Sequence, residues 1–158
     1  MKRLMFFVLI GLLAFEGFCY ENGVEELSPY LMRDIHSQSN DYLLNKEHTF
    51  TQLLEDETRL ERMISYIFIN HSKEKQEDIL TRVGALSFDE IHSFLEQMLK
   101  DLEVPEHTLE FVIHSIDKDG DELIQPNELK LFLKEFFSFL LTRIRDEYNN
   151  RILSQGEL

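Results

Sequence analysis

The chain has 158 residues, is 43% hydrophobic and carries a formal net charge of −14 at pH 7. A chain of this length and apolar content can bury a core, so disorder throughout is excluded. The strong acidic balance argues against a nucleic-acid partner, whose phosphates require a basic surface, and favours cation binding and high solubility.

The first residues have the pattern of a secretory leader. Two basic residues precede the apolar run Leu4 to Phe15, and the small residues Gly17 and Cys19 follow it. This order predicts a signal peptide at residues 1–19 and a mature chain that is secreted or stays in the endoplasmic-reticulum lumen. An uncleaved anchor is the alternative. So short an apolar run spans a bilayer poorly, and we expect no stable membrane insertion after cleavage.

Cleavage after Cys19 would remove the only cysteine of the chain. The mature protein would then contain no disulfide, which is the common staple of small secreted proteins. A bound metal ion is another source of stability, because an ion that binds only the folded state stabilises that state.

Residues 20–48 are predicted to form an N-terminal helical or irregular segment. Ser28 and Pro29 have the order of a helix N-cap followed by proline at the first helical position. The polar stretch Ser37 to Asp41 is expected to end that helix.

Four helices are predicted within residues 49–153, which we assign to one domain ahead of a short tail at 154–158. The first is expected to begin at the capping-box spacing of Thr49 and Gln52 and to continue to about Ile69. Its apolar residues recur with a helical period rather than the period of two that a strand requires.

Three further helices are expected after it. Ser87 is predicted to cap the second, which runs from Phe88 to about Leu102. The third starts at Pro105, and the fourth starts at Pro126 and is unusually long and apolar. No segment reads as a strand of ordinary length, so the sequence predicts a single all-α domain.

An acidic stretch interrupts the helical period between the third and fourth helices. Alternate positions of a twelve-residue loop (first, third, fifth, seventh, ninth and twelfth) are occupied by Asp117, Asp119, Asp121, Leu123, Gln125 and Glu128. Calcium is a hard cation that takes six to eight oxygen ligands, which these residues can supply as carboxylates, a backbone carbonyl and an amide. The sequence therefore predicts a calcium ion bound by these six residues. The alternative is an acidic turn that joins two helices without a metal.

The loop and its flanks resemble the EF-hand calcium-binding superfamily. Both flanking helices carry apolar residues at the same spacing, namely Leu109, Val112, Ile113 and Ile116 before the loop and Leu129, Phe132, Leu133 and Phe136 after it. In this family Ile124, at the eighth loop position, pairs with a partner loop in a short two-stranded ribbon. The resemblance covers about Leu60 to Ile144 and implies an EF-hand pair with an additional N-terminal helical segment.

One loop residue departs from the family pattern. Glu122 stands at the sixth position, where the family has glycine because the backbone turns there with a positive φ. A left-handed non-glycine residue costs about 1–2 kcal/mol, which corresponds to roughly tenfold weaker calcium binding if none of it is relieved.

A degenerate partner loop is expected upstream. Gly84, Leu86 and Glu90 match its sixth, eighth and twelfth positions, but the early ligand positions fall on Ile79, Thr81 and Val83. Those three side chains offer almost no inward carboxylate oxygen. We therefore expect a first hand with an insertion around Asn70 to Asp78 and no ordinary calcium coordination. Two ordinary helices joined by a charged loop are the alternative.

The sequence favours a binding protein over an enzyme. It contains no nucleophile motif, no phosphate-binding glycine loop and no pair of catalytic carboxylates apart from the acidic loop. The phenylalanines of the last helix belong either to the core or to an apolar groove for an unknown protein partner. We expect a calcium-dependent protein-interaction module of the secretory pathway, with a structural role for calcium as the alternative. A third possibility is a secreted helical factor with a vestigial metal site, and the oligomeric state stays open.

Overall fold

The computed structural model describes residues 23–72 and 84–156, and these residues are mostly helical. The helices of the described part are α1 Gly23–Ser37, α2 Asn40–Glu55, α3 Glu57–His71, α4 Phe88–Met98, α5 Glu106–Ile116 and α6 Pro126–Gly156. A 3₁₀ turn at Lys100–Leu102 follows α4, and two very short strands, β1 Leu86–Ser87 and β2 Leu123–Ile124, precede α4 and α6. The predicted all-α class is confirmed. The predicted leader at residues 1–19 lies outside the described residues.

Among the helices at residues 23–72 and 84–156, none combines the length and the apolar composition that a membrane span requires. The 31-residue α6 is the longest of them, but charged residues recur along its second half.

Helix α1 begins earlier than the sequence suggested. The prediction that Ser28 caps this helix is wrong, because α1 starts at Gly23 and includes Pro29 in its interior. The apolar period already begins upstream of the proline, and its members Val24, Leu27, Leu31 and Ile35 are all buried. Burial of this continuous face against α5 and α6 therefore outweighs the local signal of serine followed by proline. The predicted break at Ser37 to Asp41 is confirmed.

The long helix predicted from Thr49 to about Ile69 is two helices. Helix α2 starts at Asn40 behind the N-cap Ser39, and Thr49 lies inside it with its hydroxyl donating to the carbonyl of Asn45 at 2.9 Å. The chain breaks at Asp56, whose Oδ1 accepts hydrogen bonds from the backbone amides of Thr58 and Arg59. An aspartate that caps the next helix competes with continuation of the previous one, so the prediction of one helix is wrong here.

The last three helices start where the sequence predicted. Ser87 caps α4, Pro105 precedes α5, and α6 begins at Pro126. Helix α4 ends at Met98 and gives way to the 3₁₀ turn, so the predicted end near Leu102 includes this tighter turn.

The core lies between α6 and the helices that surround it. One face of α6 is buried between residues 129 and 144 by Leu129, Phe132, Leu133, Phe136, Phe137, Leu140, Leu141 and Ile144. Helices α1, α2 and α3 pack on this face, and the ring of Phe50 on α2 stacks on that of Phe137 at 5.2 Å. Most of the phenylalanines of the last helix are thus core residues in this structure.

The C-terminal half of α6 holds the connection between α1 and α2. The Arg151 guanidinium donates to the carbonyls of His36 and Gln38 at 3.1 and 2.8 Å and to the Asn40 side chain at 3.0 Å. Its Nε also donates to Glu147 at 2.7 Å. Arginine thereby satisfies carbonyls that the end of α1 leaves without helical partners.

Candidate metal centre

The acidic loop lies between α5 and α6 and is anchored at its far side by a strand pair. Strand β2 pairs antiparallel with β1, in the register Leu86 with Ile124 and Ser87 with Leu123. Leu86 and Ile124 are fully buried, so this ribbon fixes the second half of the loop to the core. The predicted pairing of Ile124 with an upstream segment is confirmed.

Three carboxylates converge at the mouth of the loop. Asp117 follows the last residue of α5, Asp119 lies two residues further on, and Glu128 is on the first turn of α6. One ligand oxygen from each of these residues lies within 4.8 Å of the other two. Carboxylates from both ends of the loop therefore meet at one point, which is the arrangement that a hard cation requires.

Backbone amides of the loop hold two of these carboxylates in place. Glu128 accepts from the amide of Lys118 at 2.8 Å through Oε1 and from that of Gln125 at 2.9 Å through Oε2. Asp117 accepts from the amide of Gly120 at 2.9 Å through Oδ1 and from that of Glu122 at 3.0 Å through Oδ2. Hydrogen bonds from the loop backbone therefore orient these two carboxylates.

The side chains of two of the six predicted ligands contact each other, while their backbone amides donate to Asp119 and Glu128 of the carboxylate cluster. Asp121 accepts from the Gln125 side-chain amide at 2.8 Å through Oδ2, and from the amide of Leu123 at 2.9 Å through Oδ1. Leu123 lies in β2 with an exposed side chain. The structure therefore brings together Asp117, Asp119 and Glu128, and places the other predicted residues beside them on the same loop.

Partial desolvation within the loop is the largest cause that raises the pKa of Asp119 from its ordinary value, and a hydrogen bond from the backbone amide of Asp121 opposes it. The nearby carboxylates of Asp121, Asp117 and Glu128 raise the pKa further. A bound cation would relieve this repulsion, since it neutralises the charges that disfavour ionisation.

The loop turns through two positive-φ residues. Gly120 has φ 73° and Glu122 has φ 61°, so the departure noted at the sixth loop position does place a glutamate in the left-handed region. The Glu122 amide makes the 3.0 Å bond to Asp117 in this conformation. The backbone turn and the orientation of the first carboxylate therefore depend on each other.

The upstream loop has a different chemistry in its described part. Glu90, at the predicted twelfth position, accepts from the Ser87 amide at 2.8 Å, and the Ser87 hydroxyl accepts from the Glu90 amide at 3.3 Å. This reciprocal capping box holds the start of α4 and engages the carboxylate. Ile79, Thr81 and Val83 lie outside the described residues, as does most of the predicted insertion.

Comparisons of this chain with protein-family models, with curated proteins and with solved structures gave no match. Within residues 23–72 and 84–156, the cluster of Asp117, Asp119 and Glu128 is the one place where three potential metal-binding side chains converge. All three offer carboxylate oxygen and none offers nitrogen or sulfur, which suits calcium or magnesium better than a transition metal.

Proposed function

We propose that this chain is a calcium-binding protein of the EF-hand superfamily that enters the secretory pathway and uses calcium to control contact with a protein partner. The observation that carries the proposal is the convergence of Asp117, Asp119 and Glu128 at the junction of two helices. Calcium is favoured over magnesium because magnesium demands near-octahedral geometry and keeps several waters, whereas calcium accepts an irregular shell of carboxylates and carbonyls.

The proposed ligands are those of the twelve-residue loop: Asp117, Asp119, Asp121, Leu123 through its carbonyl, Gln125 and Glu128. Asp121 joins the shell when its carboxylate gives up the hydrogen bond from the Gln125 side chain and binds the ion instead. Gln125 contributes directly or through water. Glu128 closes the shell from α6. Because Asp117 directly follows α5 and Glu128 lies in the first turn of α6, an ion held by both residues couples the two helices.

The strand pair supports a paired arrangement of loops. The register of Leu86 with Ile124 joins the metal loop to the segment before α4, and α4 then packs beside α5. In this proposal the upstream loop is a structural partner that binds no calcium of its own. The sequence supports that assignment, because Ile79, Thr81 and Val83 at the early ligand positions of the upstream loop offer almost no carboxylate oxygen.

The partner contact is assigned to the apolar face that α1 and α2 cover. These helices pack on α6, and α1 also packs on α5. A cavity of about 390 Å³ lies between α1, α2, α3 and α6, with a lining that includes Phe50, Met63 and Phe137. A change in the angle between α5 and α6 would alter this packing and present apolar surface to an unknown protein partner.

A second function is favoured by the burial of the same face. The apolar stripes of α5 and α6 are buried almost completely, and the Arg151 contacts hold the end of α1 in place. In this alternative calcium only stabilises a secreted structural helical protein, by binding the folded state and not the unfolded one.

Calorimetric titration of residues 20–158 with calcium tests the proposal. We expect one site per chain, weakened on the order of tenfold or more by Glu128→Gln, because a neutral amide replaces a carboxylate that can bind through both oxygens. Glu135→Gln, about two turns further along α6 and outside the loop, is the matched control and should keep the wild-type affinity. A wild-type chain that takes up no calcium at several millimolar would contradict both functions.

Dye binding and thermal unfolding then separate the two functions. A switch exposes apolar surface, so the fluorescence of an apolar dye should rise when calcium is added. A purely structural ion should raise the melting temperature and leave dye binding unchanged.

A further inference from the structure

Residues 70–72 have the acceptor pattern for N-linked glycosylation. Asn70 is followed by His71 and Ser72, so serine stands two positions after asparagine and no proline intervenes. Among all asparagines of the chain, only Asn70 has serine or threonine at that distance. We propose that Asn70 carries an N-linked glycan. The inference rests on the secretory part of the proposed function, because the transferring enzyme works in the endoplasmic-reticulum lumen.

The three residues lie where a helix ends at the surface. Asn70 is exposed in the last turn of α3, and Ser72 is the C-cap residue with extended backbone angles. His71 points to the other side, with its ring edge-on to that of Phe94 at 5.4 Å. His71 therefore packs toward the core, whereas the acceptor Asn70 faces solvent.

The transfer chemistry is compatible with the contacts of Asn70. Its Nδ2 donates one hydrogen bond, to the carbonyl of Tyr66 at 2.7 Å. A side-chain amide has two N–H groups, so one can be replaced while the other keeps this bond. The donor is a lipid-pyrophosphate-linked oligosaccharide. A bond forms between Nδ2 and the anomeric carbon, the bond from that carbon to the pyrophosphate oxygen breaks, and the displaced amide proton passes to a base of the transferase.

The apolar surface beside Asn70 is an independent observation that favours a glycan. Tyr66 and Ile69 are 67% and 70% exposed, which makes them the two most exposed large hydrophobic residues of α3. Tyr66 precedes Asn70 by four residues and so shares its face of the helix, and Ile69 is its immediate neighbour. A bulky, hydrophilic glycan at Asn70 would cover this surface and keep it from self-association.

The acceptor residues take no part in the metal centre. They end α3, whereas the carboxylate cluster belongs to the loop between α5 and α6. Glycosylation and calcium binding can therefore be tested separately, and we expect the same calcium affinity with and without the glycan.

The full chain, with its own leader, is to be produced in a eukaryotic secretory host and treated with an amidase that removes N-glycans. We expect a single mass increment that the enzyme abolishes, and a peptide in which the side chain at position 70 has become a carboxylate. Asn70→Gln and Ser72→Ala should lose the increment, whereas Ser72→Thr should keep it, because threonine completes the same pattern. Asn45→Gln, at an exposed asparagine of α2, is the matched control and should also keep it.

The possible outcomes separate this inference from the proposed function. A chain that reaches the lumen or medium with Asn70 unmodified overturns the glycan and leaves calcium binding intact. A chain that stays outside the lumen overturns both the glycan and the secretory part of the function. A glycosylated chain that binds no calcium in the titration supports the glycan and overturns the calcium function.

Discussion

Glu122 and Glu103 are the non-glycine residues of the described chain with positive φ, at 61° and 53°. Each carries a side chain in a conformation that L-residues avoid, at a cost of about 1–2 kcal/mol. Glu103 is the C-cap of the 3₁₀ turn after α4, far along the chain from the metal loop. Glu122 lies within the loop, and its amide orients Asp117. The two residues therefore carry a similar conformational cost, but only Glu122 carries it within the metal loop.

Replacing Glu122 with glycine is expected to recover on the order of 1 kcal/mol. If the ion-free loop avoids the left-handed turn, Glu122→Gly should raise calcium affinity, by up to about tenfold. If the ion-free loop keeps that turn, the substitution should instead raise the free energy of unfolding. Calorimetric titration and chemical denaturation of Glu122→Gly measure the two quantities.

Glu103→Gly is the matched control for that experiment. It should raise the free energy of unfolding by a similar amount and leave calcium affinity unchanged, because Glu103 contacts no loop residue in the hydrogen bonds of the described chain. If Glu122→Gly altered neither affinity nor stability, the assignment of backbone strain to this position would be wrong.

At the scale of elements, the helix connection at Asp56 is held by a capping carboxylate. Asp56→Ala should lower the free energy of unfolding by about 1 kcal/mol, because the amides of Thr58 and Arg59 lose their acceptor. The ion pair of Asp56 with Arg59 at 3.2 Å is exposed on both sides and contributes little. Asp56→Asn keeps a capping oxygen and removes the charge. In chemical denaturation it should therefore stay close to wild type, and an equal loss for both variants would contradict a capping role.

The end of α6 is expected to make stability depend on pH. The hydrogen bond from Arg151 is the main cause that lowers the pKa of Glu147 below its ordinary value, and His36 adds to it, while partial desolvation opposes it. A lowered folded-state pKa stabilises the fold at pH values above the ordinary glutamate range. This contribution is lost as the pH falls through the folded-state pKa.

Denaturation of wild type and Glu147→Gln across the acid range measures this contribution. The variant should be less stable at neutral pH, and the difference should shrink as the pH falls toward and below the folded-state pKa of Glu147. Asp146→Asn, which removes a carboxylate at the exposed neighbouring position, is the matched control. A difference that stayed constant with pH would show that Glu147 acts by packing alone.

The elements that the sequence predicted well are those whose signals are local. The apolar period of α5 and α6 and the cap at Ser87 lie within one or two turns of the residues they organise. The paired strands were expected from the resemblance to the EF-hand superfamily, in which the residue at the loop position of Ile124 pairs with a partner loop.

The elements that the sequence missed depend on competition or on distant contacts. The sequence predicted a helix start at Thr49, whereas α2 begins behind Ser39, whose hydroxyl accepts from the Tyr42 amide. The contact of Arg151 with Gln38 joins residues 113 positions apart, which no local pattern encodes. In the metal loop, the pairing of Asp121 with Gln125 was equally invisible, because alternation predicts which side chains face inward and not which of them bond to each other.

At the scale of the whole molecule, α1 contacts the helix that leads into the metal loop. Gly23 packs so closely on α5 that an added Cβ would lie 2.2 Å from the Ser115 hydroxyl oxygen and 3.1 Å from the Val112 Cα. Ser115 is two residues before Asp117. The contact between α1 and α5 therefore lies within about one helical turn of the first metal ligand. Any motion that separates α1 from α5 is therefore expected to affect calcium affinity.

Gly23→Ala is predicted to force α1 away from α5 and to lower the free energy of unfolding by about 1–3 kcal/mol. Its effect on calcium affinity decides between the two functions. If calcium favours an arrangement with α1 displaced, the variant already favours that arrangement, and calcium must bind more tightly by reciprocity. If calcium stabilises the packed fold, the variant must bind it more weakly. Calorimetric titration measures the sign, with Gly156→Ala as the matched control, because an added Cβ there meets nothing within 4 Å. An unchanged affinity in a destabilised Gly23→Ala chain would show that α1 and the loop are independent, and the partner surface would then have to lie elsewhere on the molecule.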